Sequence, residues 1–267
     1  MGKARGMGIP SVRPHHGRSN GNSFDTSNGG SGPAIARSAG ATNGAGDSSQ
    51  TERAILQEAV RDLRGTDSTV KTAAIRALGR LSHRRGAPAL IDAYDDPSEA
   101  VRSECINALA QLREPAAASV FKTALFQDAS SRVRLAAARG VYQLGGLGAA
   151  PALTKALEDT SPTIRRRAAV CLGWLDARSD AGALLPLFRD GDANVRAAAV
   201  EAVGTLRFRS AIPGLIKALE DKDPRVRQRA NHSLQRITGM SCGTAPPGRA
   251  AAYRKIARKW QGWWSVS

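Results

Sequence analysis

A two-residue signature, an aliphatic residue followed by Arg or Lys, returns along this chain at a nearly fixed interval. It stands at Val70-Lys71, Val101-Arg102, Val133-Arg134, Ile164-Arg165, Val195-Arg196 and Val226-Arg227, with steps of 31, 32, 31, 31 and 31 residues. A repeat held within about 20–50 residues restricts the chain to an array of stacked units. A unit of that size cannot bury its own apolar face, so each one leans on its neighbours.

The residues around the signature say what a unit is made of. Apolar residues follow at offsets 0, 4, 8 and 11, as in Val195, Ala199, Val203 and Leu206, which is one face of an α-helix. Three residues before the signature stand Asp67, Ser98, Ser130, Ser161, Asp192 and Asp223, all suited to accept from the free N–H groups of a first turn. Pro162 and Pro224 follow two of them directly, where a missing N–H costs nothing. A second helical run precedes each of these anchor helices, as in "AIPGLIKALED" at 211–221, with Pro88, Pro151 and Pro213 in its first turn. Each unit is therefore expected to be two antiparallel helices, and the whole an all-α, right-handed solenoid of about six helix pairs.

Five residues before the signature stand Asp96, Asp128, Asp159, Asp190 and Asp221; the first unit lacks this residue. A carboxylate at the end of the preceding helix sits against the negative end of its dipole and needs a compensating cation. The recurrent Arg102, Arg134, Arg165, Arg196 and Arg227 are the natural partners, within a unit or between units. These columns are expected to form a structural Asp/Arg ladder.

The two ends of the chain differ from the array. In residues 1–50, Gly, Ser and Asn supply 23 positions and no apolar period is present. Such a segment buries too little to offset its ordering entropy and is expected to be disordered. Residues 240–267 carry five basic and no acidic groups. Placed on a helix, Tyr253, Ile256, Ala257, Trp260 and Trp264 form one stripe, with Arg254, Lys255, Arg258 and Lys259 mostly off it. This segment is expected to cap the open end of the stack, as arrays require; its other reading is a basic amphipathic helix for a membrane surface or nucleic acid. The expected organisation is a tail over 1–50, the solenoid over 51–239, and a linker with a Trp-rich helix over 240–267.

"LFRDGDANVRAAAVEAVGTL" at 187–206 and "LEDKDPRVRQRANHSLQRI" at 219–237 resemble the HEAT repeat of the phycobilisome-lyase type. The resemblance covers roughly residues 52–239. It implies a HEAT-type, armadillo-like α-solenoid, in a family that includes bilin lyase subunits, deoxyhypusine hydroxylases and many scaffolds. Thr238-Gly239, followed by "RAAAYRKIARKWQGWW" at 249–264, is similar to the W-x-x-W-W tail found after HEAT repeats in bacterial, notably planctomycete, proteins.

Residues for catalysis are hard to find. The hydroxylases of the superfamily hold iron with His-Glu pairs, but His15, His16, His83 and His232 are none of them followed by Glu. Cys105, Cys171 and Cys242 are too few and scattered for a disulfide framework, so a reducing cytoplasm is expected. Cys105 and Cys171 fall on the packed stretch of their helices. Trp174 and Asp176 invite comparison with HEAT-like DNA glycosylases, without a wider motif to support it. No cofactor and no metal are expected, nor is a membrane span, since no run of about eighteen apolar residues occurs.

What remains is a surface. By the family resemblance the anchor helices line the concave side. Offsets 3, 6 and 10, left over from packing, are expected to face outward. They comprise Arg76, Arg80, Arg139, Arg167, Arg229, Arg236 and His232 against Glu104 and Glu201, with Val170 and Trp174 as an apolar centre. The formal charge of +16 favours an acidic partner. The expected function is a non-catalytic scaffold for a protein or peptide with acidic character. The alternative is a nucleic-acid binder, and the third reading a subunit of a bilin-lyase-like enzyme.

Overall fold

A computed structural model describes residues 44–80 and 84–266 of the chain. Residues 1–43, which include His15, His16 and most of the expected tail, lie outside them, as does His83. Among the described residues every regular element is helical. The anchor helices are α2 (Ser68–Arg80), α4 (Glu99–Leu112), α6 (Ser131–Gly145), α8 (Pro162–Trp174), α9 (Ala193–Thr205) and α11 (Pro224–Thr238). Their partners are α1 (Gly44–Asp62), α3 (Ala87–Asp92), α5 (Ala118–Gln127), α7 (Ala150–Ala156) and α10 (Ile212–Ala218). The chain ends in α12 (Ala250–Trp264). Helix α1 begins seven residues before the boundary expected at 51. Its core residue Ala59 fixes the helix on the array, and propagation from a fixed segment gains one hydrogen bond per added residue.

One partner is not an α-helix. Before α9 the chain forms two short 3₁₀ segments, Arg178–Leu184 and Pro186–Arg189. The other proline-bearing partners carry proline thirteen residues before the signature, at their first turn. Here Gly182 holds that place and Pro186 stands a turn later. A proline inside the run removes an N–H and crowds the carbonyl four residues back, which ends an α-helix.

The apolar offsets build a continuous core from Ala59 to Trp260. Val101, Val133, Ile164, Val195 and Val226 are buried at 0–1% exposure, whereas Val70, on the first unit, is 42% exposed. Successive anchor helices pack closely. A methyl group on Gly204 would collide with Ser233 Oγ, whose hydroxyl donates to the Val200 carbonyl across the α9–α11 contact at 2.8 Å.

Along one edge of this stack runs a polar seam. Arg102, Arg134, Arg165 and Arg196 each hold the Asp of the following unit in a two-pronged bond. Nε donates at 2.7–2.9 Å and Nη2 at 2.9–3.1 Å to Asp128, Asp159, Asp190 and Asp221 respectively. Nη1 of each turns back to two backbone carbonyls just before its own helix, such as Asp159 and Thr160 for Arg165. Each carboxylate also accepts the N–H two residues on, at 2.7–2.9 Å, from Asp96 to Asp221. This answers the dipole problem: the Asp closes one helix and also stands at the positive start of the next. Ser130, Asp192 and Asp223 cap their helices as expected, while Ser98 and Ser161 make no side-chain cap.

The seam changes at both ends. In the first unit Lys71 replaces Arg and reaches Asp96 by one bond of 2.6 Å. At the last unit Arg227 meets no Asp side chain among the described residues, which corrects its expected place in the ladder. It donates to the Asp221, Lys222 and Pro247 carbonyls, lies 5.7 Å from the Tyr253 ring, and its buried Nε finds no partner among the described residues. Pro247 leads into α12, whose stripe of Tyr253, Ile256, Ala257 and Trp260 is 0–5% exposed. Trp260 Nε1 donates to Asn231 Oδ1 at 3.4 Å, and the Tyr253 hydroxyl to the Ala245 carbonyl at 2.9 Å. Trp264, expected on the same stripe, is 37% exposed and lines a groove with Pro213, Ile216 and Lys217.

Candidate partner-binding site

On the anchor helices, offsets 6 and 10 face water in most units, and offset 3 does not do so throughout. Ala136 and Ala198 are buried at 5% and 4% exposure. Offset 3 lies about a quarter-turn from the centre of the apolar stripe at 100° per residue, so a neighbouring helix covers a methyl group there. Longer side chains escape: Arg167 is half-buried and Arg229 is exposed.

The cations of this face divide into two kinds. Toward the ends they are engaged. Arg76 Nε pairs with Glu104 at 2.7 Å, Arg229 pairs with Glu201, and Arg236 donates to Thr205 Oγ1 at 2.9 Å. Arg80, exposed on the last turn of α2, also has a partner. At the middle, Arg139 on α6 and Arg167 on α8 have no carboxylate partner among the described residues. Burial pushes the Cys171 thiol beneath them up to about 11, against the pull of both guanidinium charges.

The same two helices bring together an aromatic pair, Tyr142 three residues after Arg139 and Trp174 seven after Arg167. Trp174, at the last turn of α8, is 59% exposed and leans on Tyr142 of α6, with ring centroids 5.5 Å apart and planes at 55°. Arg167, Val170 and Trp174 are spaced i, i+3, i+7 and share one helix face. Val170 is half-buried against the core. An indole so exposed is unusual, since Trp is highly buried on average. Tyr142 was not expected here. It precedes the offset-10 residue Gln143 by one position and stands 32 residues before Trp174. The 31-residue step from α6 to α8 aligns Trp174 with Gln143, so the repeat gives no pointer to Tyr142.

Burial raises the Cys105 thiol to about 12, away from a nucleophilic thiolate. Among the described residues no group of three His, Cys, Asp or Glu could hold a metal ion, and no helix is long and apolar enough to cross a membrane. Asp176 lies beyond α8, in a left-handed turn at φ 52° where its carboxylate takes Arg178 at 3.0 Å. It is a turn residue and does not join Trp174.

The family profile described as HEAT repeats matches residues 55–140, 120–190 and 181–246. The chain belongs to the HEAT-repeat family. Among solved structures, this HEAT-repeat chain is similar to YibA of E. coli at 16% identity and a TM-score of 0.56, over 78% of this chain and 82% of that one. An engineered protein aligns at 20% identity and a TM-score of 0.52, over 69% and 96%. A designed armadillo repeat protein in complex with the peptide (KR)4 aligns at 21% and 0.51, over 68% and 99%. At these identities the likeness speaks for the HEAT/armadillo solenoid fold alone. No curated protein sequence matches the chain.

Proposed function

We propose that this HEAT-repeat protein is a non-catalytic scaffold whose anchor-helix face binds a protein or peptide of acidic character. One observation carries the reading: an exposed Trp174 leaning on a half-buried Tyr142, on the same helices as two arginines without carboxylate partners among the described residues, at the middle of an array whose outer cations on this face are engaged. Aromatic rings and Arg are the usual anchors of protein interfaces, and they work best at the centre. A carboxylate approaching Arg139 or Arg167 displaces no existing ion pair, whereas one approaching Arg76 or Arg229 must compete with Glu104 or Glu201. The partner fitting this face is a segment with one apolar residue for the aromatic pair and acidic residues on either side. The Arg76, Arg80, Arg229 and Arg236 positions act as its periphery.

Selection from a random peptide library against the full chain tests the proposal. The expected peptides are enriched in Asp and Glu around a single aliphatic or aromatic residue. Trp174→Ala is expected to weaken the selected peptides by about 2 kcal/mol, as a central anchor does, and Arg139→Gln/Arg167→Gln to remove the acidic preference. Peptides without acidic enrichment, or affinities untouched by both variants, contradict it.

A further inference from the structure

The capping role accounts for one side of α12 and leaves the other unexplained. Its buried stripe seals the last unit. A cap needs only a polar outer face, yet every charged residue on this one is a cation. Arg254, Lys255, Arg258 and Lys259 are all exposed, and Arg249 is exposed just before them. None has an ion-paired carboxylate among the described residues, and residues 240–267 contain no acid at all. Glu220, which borders α12, lies in the groove on the Trp264 side together with Lys217.

Arg254 with Arg258, and Lys255 with Lys259, are like charges at i, i+4, which weaken a helix. Among the described residues no carboxylate relieves this repulsion on α12. The four charges form two short rows, each stepping about 6 Å along the axis. Trp260 and Tyr253 lock the helix beneath them, so the rows are held in a fixed orientation.

We propose that the outward face of α12 docks on the sugar–phosphate backbone of double-stranded nucleic acid. The chemistry of the face selects this partner. A protein interface needs a desolvated apolar centre, and between the two rows there is no apolar side chain to supply one. A helix lying in a membrane surface inserts its apolar face, but here that face is sealed in the protein. Single-stranded binders stack bases on aromatic rings, and the rings of α12 point inward or to the Trp264 groove. Phosphates of a duplex ask only for well-placed cations. The site is separate from the Trp174 face, so the scaffold would hold a protein on its helical face and a nucleic acid at its end.

The test uses the full chain and a short labelled DNA duplex of mixed sequence, followed by anisotropy over a salt series. Wild type is expected to bind with a log–log salt slope of about −3 to −5. The variant Arg254→Gln/Lys255→Gln/Arg258→Gln/Lys259→Gln is expected to lose about 3 of that slope and roughly tenfold or more in affinity at moderate salt. Its melting temperature should hold or rise as the repulsion is removed, which separates lost binding from lost folding. Arg254→Lys/Arg258→Lys, which keeps the charge, and Arg139→Gln/Arg167→Gln, on the other face, are expected to bind as wild type does. Wild type failing to bind the duplex, the quadruple variant binding equally well, or phosphatidylserine vesicles binding more tightly than the duplex would overturn the proposal.

Discussion

Arg165 and Arg167 stand two residues apart on α8, and the structure uses them in opposite ways. Arg165 turns into the seam. It holds Asp190 of the next unit with two bonds and two backbone carbonyls of its own turn with a third nitrogen. Arg167 turns to the face beside Trp174 and has no carboxylate partner among the described residues. The same division repeats on α6, where Arg134 holds Asp159 and Arg139 stands beside Tyr142. Identical chemistry is thus spent on cohesion along one edge and kept available on another. The cause is geometric: an Asp column faces offset 1 in each following unit, and no acidic column faces offsets 3 and 6 at the middle of the array.

Acid breaks the comparison most severely, because it attacks several rungs together. Burial alone would raise the Asp128 carboxyl, but hydrogen bonds from Arg102 and the Ser130 N–H, with the Arg102 charge, outweigh it and hold the group below the usual 3.8. Asp96 is lowered in the same way by Lys71 and the Ser98 N–H against burial, and Asp190 chiefly by its bond from Arg165. A carboxyl held lower in the folded than in the unfolded chain stabilises fully above its unfolded value, and that contribution is lost as pH falls through the folded one. The melting temperature is therefore expected to stay level from neutral pH to about pH 5 and to fall steeply below the ordinary aspartate range. A profile flat down to strong acid would show that the seam contributes little.

A single rung gives the next largest effect. Asp128 is 3% exposed and its partner Arg102 18%. Asp128→Asn leaves a half-buried guanidinium without its counter-charge and leaves one oxygen for the bonds that two now accept, among them that from the Tyr94 hydroxyl at 3.2 Å. The expected loss is about 3 kcal/mol by chemical denaturation. A loss under about 1 kcal/mol would place the rung with ordinary surface pairs.

Different parts of this architecture were legible to different degrees. The helix pairs could be read because offsets 0, 4, 8 and 11 lie within one unit and repeat. The Asp and Arg columns were equally visible. Which Asp each Arg reaches, 25 or 26 residues downstream, is decided by stacking and is contained in no single unit. The end of the ladder was misread for that reason: Arg227 has the sequence of a rung but no unit after it. The irregular partner before α9 was marked by the exchange of Gly182 and Pro186 against the proline register. The face was least legible. Ala136 and Ala198 obey the outward offset yet are covered by a neighbouring helix, and Tyr142 breaks the offset rule yet supports Trp174. Helical phase predicts direction from the axis, and close packing of helix on helix decides what that direction meets.

The most direct measurement compares two single substitutions on α8, Arg165→Gln and Arg167→Gln, by chemical denaturation at neutral pH. Each removes one guanidinium two residues from the other, so helix propensity and net charge change alike. Arg165→Gln is expected to cost about 2–3 kcal/mol, because it strands the part-buried Asp190 carboxylate. Arg167→Gln is expected to change stability by less than about 0.5 kcal/mol, as surface substitutions away from such pairs do. Equal losses for the two, or the larger loss at Arg167, would contradict the division between a seam that holds the array and the face proposed for a partner.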